Sequence, residues 1–498
     1  MGLFLVALGL LAVYLIHFYF IRRRQFPPGP IPLPFIGNAY SFISTPMDTC
    51  FQKWKDEYGD IMTFWLGDTP IVSIHDSKVI YDTFVKDADA YIGRQQQRWN
   101  ELLRPGHTGL LFSEGSLWRD NRRFALQVFR NLGLGRNLMQ ERVLDDVIAL
   151  IDYTKKEIKA GTTEFNFFDE LDISIGSVIN SIEFGYRFSR DDRTEFIRAK
   201  KLATEQVKMS GSVMFRTMEQ HWEYFRYLPF FRDTYMKVFN SDKEHRAFFG
   251  RQIEEHRKHI DLESEEEPTD YVEAFLKHQH KLDKEGVVGH SFSETQLYSA
   301  LLDLWLAGQE TTATTLAWLF IYVIKNPEVQ KKCQAELDEF VGDRIVTLDD
   351  KVNLNYVNAT VAEAQRLCNL VPINVPHRTT RDVEIMGHKI PKHTVIMNQI
   401  STVMHDERYF PDAKSFKPER FLDEKGKFYA PPELMPFSVG KRACLGEGLA
   451  RLELFLFTAN ALNQLQFGEI PGKPISGERI VAGTTAPAPW VCSITARY

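Results

Sequence analysis

The chain has 498 residues, 44% of them hydrophobic and 25% charged, the balance of a globular protein with ample core material rather than of a disordered or fibrous one. Its formal net charge of -6 gives no sign of a nucleic-acid binder, so partners have to be argued from local patches. Five cysteines, Cys50, Cys333, Cys368, Cys444 and Cys492, are scattered without paired metal-ligand spacing, which argues against a disulfide framework or a structural zinc site and points to a reducing compartment.

Gly2 to Ile21 form an apolar run broken only by His17, about the ~20 residues a membrane-spanning helix requires, and Arg22, Arg23 and Arg24 follow at once. A cleaved signal peptide is the rival reading. The run is long, no basic region precedes it, and arginines stand where a small-residue cleavage site would be, so an uncleaved anchor with a cytosolic remainder is favoured. Pro27-Pro28-Gly29-Pro30-Ile31-Pro32-Leu33-Pro34 is incompatible with a helix and predicts a stiff extended spacer. Residues 1-21 thus read as a transmembrane signal anchor, 22-38 as a basic and proline-rich hinge, and 39-498 as one large domain.

Past residue 39 there is neither an internal repeat nor a long linker, and helical patterns dominate, so the expected fold class is mainly α with a small β-rich part. Strand-like runs lie near Ile61 to Trp65, Ile71 to Ile74 and Val383 to Met397, the last broken by a turn containing Gly387. The acidic stretch Asp261 to Glu267, ended by Pro268, reads as a solvated loop between helices. A helix is predicted from about Glu294 to Lys325, where Ser293 and Gln296 have capping-box spacing and Asn326-Pro327 forms a stop. At ~1.5 Å per residue it spans on the order of 48 Å, which demands burial through the body. Leu297, Leu301, Leu304, Gly308, Thr311 and Thr315 share one stripe. Midway, Ala307 and Gly308 open a notch, and Glu310 with Thr311 places an acid and a hydroxyl in an otherwise apolar helix. Close helix packing with a back-bonded threonine accounts for the notch equally well. Glu363 and Arg366, three apart on another helical stretch, have the default reading of a surface ion pair worth ~0.2–0.5 kcal/mol.

Near the C-terminus, Phe437-Ser-Val-Gly-Lys-Arg-Ala-Cys-Leu-Gly446 sets one cysteine between two glycines, beside two cations, at the start of the apolar helical run Leu445 to Phe457. The positive end of that helix, with Lys441 and Arg442, is expected to favour a thiolate at Cys444, while Gly440 and Gly446 let a flat, bulky partner reach the backbone. An iron ligand fits this context. A lone cysteine is more often a small buried hydrophobe, and it is the spacing that overturns that default.

The complete pattern Phe-x-x-Gly-x-Arg-x-Cys-x-Gly resembles the haem-binding signature of the cytochrome P450 family. The resemblance implies that Cys444 is the axial ligand of the iron in heme b (iron protoporphyrin IX), that Arg442 reaches a haem propionate, and that Phe437 and Gly440 belong to the cofactor-binding loop. Ala307-Gly308-Gln309-Glu310-Thr311-Thr312 resembles the family's oxygen-binding motif. That implies catalytic roles for Thr311, which supports dioxygen activation, and Glu310, which belongs to the proton-delivery route, with Gly308 beside the cofactor. Trp118 and Arg122 match the family's Trp-x-x-x-Arg pair and imply a propionate contact; the plainer alternative is an aromatic packed against a cation on one helix face. His377 and Arg94 resemble further propionate partners, since two buried carboxylates need paired charges or hydrogen bonds. Glu363-Ala-Gln-Arg366 resembles the family's Glu-x-x-Arg pair, with Arg420 of Pro418-Glu-Arg-Phe421 completing a structural network.

The resemblance covers nearly the whole chain, and Gly109 to Gly115, Trp118 to Phe124 and Phe129 to Gly135 are most similar to the animal microsomal "family 2" group. It implies a monooxygenase of the endoplasmic-reticulum membrane, a single-pass anchor carrying a cytosolic catalytic domain over 39-498, that inserts one oxygen atom of O2 into an apolar fatty acid, steroid or xenobiotic. Electrons are expected from NADPH through NADPH-cytochrome P450 reductase, with cytochrome b5 a further candidate donor. Arg119, Arg123, Arg130 and Lys441 are either a docking face for an acidic reductase or a solvated basic face. The resemblance places pocket walls before Trp118, at Gln206 to Phe231, Leu301 to Thr311, Val371 to Val375, and Gly483 to Pro487. Phe215, Trp222, Tyr224, Phe225, Phe230 and Phe231 are read as membrane contacts or core. Two other classes stay open: a haem-thiolate isomerase or dehydratase acting on peroxides, and a non-catalytic haem-binding sensor. The intact acid-threonine pair speaks against both.

Overall fold

The computed structural model describes residues 2–96, 100–134, 137–211 and 222–498. The body is mainly helical. The helices that matter for the site are α1 (Gly2–Ile16), α2 (Gly115–Asn131), α3 (Asn137–Lys159), α4 (Phe167–Phe184), α5 (Thr194–Gly211), α6 (Pro229–Arg257), α7 (Tyr271–Lys284), α8 (Glu294–Lys325), α9 (Asn355–Cys368) and α10 (Glu447–Gln464). α4, α8 and α10 are apolar on most of their circumference and accordingly buried on most of it, so they form the centre on which the amphipathic α3 and α7 pack one face each, while α9 is buried nearly all round. One continuous apolar cluster runs through them, from Val143 and Ile175 to Leu316 and Leu456.

α8 has the bounds its stop and start signals predict. The Ser293 side chain accepts from the Gln296 N–H at 3.2 Å, but the reciprocal half of a capping box is missing. Gln296 instead reaches outward, its Oε1 accepting from the Gly109 N–H at 2.8 Å. That bond ties the start of α8 to the loop that roofs the site.

The strands ahead of α10 are β1 (Ile61–Leu66), β2 (Thr69–Ile74), β3 (Gly93–Arg94), β4 (His377–Arg378), β5 (Val383–Ile385), β6 (His388–Ile390) and β7 (Val395–Asn398). Five of them form a sheet in the order β1-β2-β7-β4-β3, with β2 and β7 parallel and the other pairs antiparallel. The run expected as two strands about Gly387 is three: β5 and β6 make a separate hairpin through Gly387, at φ +79°, and β7 joins the large sheet. The β3–β4 register sets Arg94 opposite His377. The acidic stretch Asp261 to Glu267 is a loop, as expected, and Glu263 pairs with His280 at 2.9 Å and Lys284 at 2.7 Å on α7.

The N-terminal segment departs from its expected bounds. The helical path does not stop at residue 21: α1 continues as a wider turn over His17–Arg22 and a tight one over Arg23–Gln25. Phe4–Gln25 is long and apolar enough to cross a membrane and is 6% buried. Its end nevertheless docks on the body, with Phe18 only 1% exposed and its ring 5.2 Å from that of Trp65 in β1. Nor is the proline-rich stretch a free spacer. The Thr63 N–H donates to the Pro28 carbonyl at 3.0 Å, the Tyr19 hydroxyl to that of Pro32 at 2.9 Å, and Asn38 Nδ2 to that of Ile31 at 3.1 Å. A Cβ at Gly29 would sit 1.9 Å from the Thr63 carbonyl oxygen, so the hinge lies flat against the sheet.

Candidate functional site

A cavity of about 310 Å³ opens between α8, α10 and α4 at the centre of the body, mostly apolar in its walls. Cys444, Thr311, Gly308, Phe437, Trp118, Arg122, His377, Arg442 and Arg94 all contribute to its lining. Of the residues expected to act in catalysis or to bind the cofactor, two do not: Glu310 and Gly440.

Cys444 lies three residues ahead of α10 in a loop closed by its own N–H, which donates to the Phe437 carbonyl at 2.9 Å. Its thiol faces the cavity, so it counts as exposed although it lies deep in the protein. Burial pushes the Cys444 thiol up, while the Gly446 N–H and the Arg122 charge pull it down. The cations expected to help it are engaged elsewhere. Lys441 pairs with Asp89 at 2.6 Å on the surface, and Arg442 donates to the carbonyls of Ile92 at 2.9 Å and Ser113 at 2.8 Å. Deprotonating this sulfur therefore calls for a directly coordinated cation, which would deprotonate a thiol outright. Gly440 is demanded by the fold rather than by a cofactor: its φ is +81°, and a Cβ there would come within 1.9 Å of the Phe84 carbonyl oxygen.

At one edge of the cavity four basic groups converge. Arg94 donates to the carbonyls of Leu111 at 3.1 Å and Val375 at 3.0 Å, and Arg122 to that of Ala443 at 2.7 Å. Arg442 stacks on Trp118, its guanidinium carbon 3.8 Å from the ring centroid, and its Nη1 has no hydrogen-bond partner among the described residues. The nearest carboxylate, Glu114, is held by Arg378 at 2.7 Å and by the Arg94 N–H. Burial, then the crowding of like charges, brings Arg442 down to about 8 and Arg94 to about 9. His377 is 3% exposed; its Nδ1 lies 2.7 Å from the Tyr91 carbonyl and so must carry the proton, while burial and the charges of Arg94 and Arg442 hold it well below the ordinary histidine range. Three guanidiniums facing a cavity, those of Arg94 and Arg442 buried and that of Arg122 half-buried, with so little negative charge nearby, are a costly arrangement unless the ligand brings carboxylates. Haem carries two, and the donor set fits it: a thiol on one wall, an aromatic-lined slot, and a cationic edge.

Thr311 and Gly308 lie on the α8 wall. The Thr311 hydroxyl donates to the Ala307 carbonyl at 2.6 Å, the back-bond expected of a helical threonine, and the residue lines the cavity with its oxygen free to accept. Gly308 serves helix packing as well, since a Cβ there would lie 2.5 Å from Ile179 Cδ1 of α4. Glu310 points the other way. Lys200 of α5 holds its carboxylate at 2.8 Å and also binds Asp172 of α4 at 3.0 Å, while Gln309 donates to Asp172 at 2.5 Å.

The Glu-x-x-Arg pair is a fully buried network rather than a surface bridge. Arg366 binds Glu363 at 2.7 Å, both side chains 0% exposed, and Arg420 reaches Glu363 at 3.0 Å. Neither Glu363 nor Arg366 lines the cavity. Three acids that do line it escaped the sequence reading: Asp303, Glu183 and Glu453. Asp303 binds buried Arg104 at 2.5 Å and accepts from the N–H groups of Leu110 at 2.8 Å and Leu111 at 3.0 Å, fixing the roof loop. An acid inside a predicted buried helix is the only sequence signal any of the three carried. Of the expected pocket walls, those before Trp118, on α8 and at Val371 to Val375 line the cavity, whereas no described residue of 206–231 or 483–487 does. Phe215 lies outside the described residues.

Fold, thiol loop and cationic edge together define a haem-thiolate protein. The sequence pattern of cytochrome P450 matches residues 27–481, and the chain belongs to that family, as a monooxygenase. Mouse cytochrome P450 2B19 is 33% identical over 458 residues, 92% of this chain and 89% of its own. Rat cytochrome P450 2C7 is 32% identical, covering 89% of this chain and 88% of its own, and rabbit cytochrome P450 2B4 is 33% identical, covering 88% and 87%.

Proposed function

We propose that the chain is a membrane-anchored monooxygenase of the endoplasmic reticulum that hydroxylates or epoxidises an apolar small molecule with O2 and electrons from NADPH, delivered by a flavoprotein reductase. The observation that carries this reading is one cavity with the Cys444 thiol on one wall, the Thr311 hydroxyl on another and the Arg94, Arg122 and Arg442 guanidiniums at its edge. Haem bound there supplies a redox-active iron for the reductive activation of dioxygen. Cys444 would hold its iron as thiolate, and Arg94, Arg122 and Arg442 would hold its propionates; His377, whose Nδ1–H already serves Tyr91, would donate to them only where the propionate charge offsets the burial and the cations that lower it. Trp118 stacks on Arg442 and fixes the direction of that guanidinium.

Leu110, Leu111, Leu304, Ala307, Leu370 and Val371 offer substrate only apolar contact, which favours a hydrophobic molecule held by shape. The Thr311 oxygen accepts and passes on a proton at the wall where dioxygen would sit. Glu310, ion-paired with Lys200, is best read as anchoring α5 to α8. Arg119, Arg123 and Arg130 are exposed on α2 and suit an acidic electron donor, while Lys441 is already paired. The exposed Tyr224, Tyr227 and Leu228 add apolar surface that suits a bilayer.

The test is the reduced carbon-monoxide spectrum of full-length protein. It should show the band that names the family, and Cys444→Ser should abolish it; survival of the band in the variant would remove Cys444 from the iron.

A further inference from the structure

The cavity carries an acid that these assignments leave unused. Glu183, in the last turn of α4, is 1% exposed, and among the described residues neither of its carboxylate oxygens has a hydrogen-bond partner. It lines the same cavity as Thr311 and Thr312, flanked by Ile179, Ile182 and Phe129, which offer a carboxyl group nothing polar. Such a group stays neutral, because desolvation penalises only its charged form; burial alone raises Glu183 well above the ordinary carboxylate range. A neutral acid facing a cavity that admits water is a proton donor in waiting. Glu310 is placed differently, off the cavity wall and ion-paired with Lys200 at 2.8 Å.

Further titratable groups lie on the neighbouring α7 and α6. Tyr271, at the start of α7, is 0% exposed, has an unpartnered hydroxyl, and lies close enough to feel the Glu183 charge. The preceding residue, Asp270, is equally buried, and its Oδ2 lies 2.7 Å from Nε2 of His256 on α6, a side chain 23% exposed. Asp270 also abuts the end of α4, where a Cβ on Gly185 would sit 3.0 Å from that same oxygen.

We infer that Glu183, rather than Glu310, is the acid that hands protons into the cavity for dioxygen reduction at Thr311, and that it is reprotonated from the side of Tyr271 and His256. The inference rests on the monooxygenase reading above. Each turnover consumes substrate, O2, two electrons from the NADPH-fed reductase and two protons, and yields hydroxylated product and water. Glu183 releases one proton at a time, becomes a carboxylate, and regains a proton from solvent before the next transfer.

The experiment compares Glu183→Gln, Glu183→Asp and Glu310→Gln with wild type as full-length, haem-loaded proteins at matched haem content, with the same reductase and a verified substrate. Glu183→Gln keeps the shape but cannot donate as an acid, so product formation should fall at least about tenfold and its solvent deuterium isotope effect should rise. Glu183→Asp should recover part of the rate, and the loss in Glu310→Gln should be the smaller. Independently of turnover, the infrared carbonyl band of a protonated carboxylic acid should be present at neutral pH in resting wild type and diminished in Glu183→Gln. Wild-type rate and isotope effect in Glu183→Gln, a larger loss in Glu310→Gln, or an unchanged infrared band would each overturn the inference. If wild type forms product, the monooxygenase reading stands whatever Glu183→Gln does; if no electron source yields product, both fall.

Discussion

At the level of single residues, Thr311 and Glu183 are proposed to divide two jobs that the family resemblance assigns to one adjacent pair. Thr311 is back-bonded to Ala307 and lines the cavity, so Thr311→Ala should fold, bind haem and accept electrons, yet release more of them as hydrogen peroxide. At matched haem content, product per NADPH should drop by roughly tenfold; an unchanged ratio would return Thr311 to a structural role. Glu183 makes a second, thermodynamic prediction. Its acid is raised in the folded state, so the folded protein binds more protons than the unfolded one above the ordinary value of 4.5, and stability is lost as pH rises from there toward the raised folded value. Thermal unfolding of wild type should therefore worsen relative to Glu183→Gln across that rise. The titratable groups on elements packed about α4 are common to both proteins: Arg142 and Asp146 of α3, His256 of α6, Tyr271 of α7, Asp303 and Glu310 of α8, and Glu453 of α10. A difference between the two proteins that is flat with pH would mean that Glu183 is not held neutral. Sequence spacing singled out Cys444, Arg442, Trp118, Arg122 and Thr311, which all line the cavity, because each belongs to a short motif. Glu183, Glu453 and Asp303 have no such frame, since what makes them notable is their desolvation, a property of the assembled helices rather than of their neighbours in the chain.

Among elements, α8 was legible almost to the residue because its start, stop and apolar stripe are all local signals, whereas the use of Gln296 was not. That side chain exchanges an intrahelical cap for the Gly109 backbone, a partner 187 residues away. The same distinction explains Glu363 and Arg366, which three-residue spacing alone reads as a weak surface pair. With both side chains fully buried and Arg420 added, removing one charge strands the others, and Glu363→Gln should cost about 3 kcal/mol or more, read as a lowered unfolding temperature and poorer haem retention. The N-terminal element yields a comparable test. Because Phe18 is buried against Trp65, deleting residues 2–16 should weaken membrane attachment with little change in unfolding temperature. Phe18→Ala in the full chain should instead destabilise the body by about 3 kcal/mol. Equal stability of Phe18→Ala and wild type would mean that the anchor merely leads into the sheet and does not pack on it.

For the whole molecule the open question is which side of the membrane the body occupies. Arg22, Arg23 and Arg24 directly after the apolar helix predict a cytosolic body by the positive-inside rule. The natural sequon Asn358-Ala-Thr360 cannot report on this, although its sequence alone suggests that it could. Asn358 is 9% exposed on α9 and its Nδ2 is committed to the carbonyls of Lys351 at 2.9 Å and Leu354 at 2.7 Å, so it would escape modification in either compartment. A usable reporter lies in the loop after α7. Gly289 is exposed, its φ is +74°, a conformation asparagine tolerates better than most residues, and a Cβ there meets nothing within 4 Å. Gly289→Asn creates Asn-His-Ser with His290 and Ser291, an acceptor site on the surface of the body. In cells this variant should remain unglycosylated, while a sequon carried on an extension ahead of Met1 should be modified, because the two ends of the anchor face opposite sides. A glycosidase-sensitive mass shift in Gly289→Asn would place the body in the lumen, away from the NADPH-fed reductase on which the proposed reaction depends.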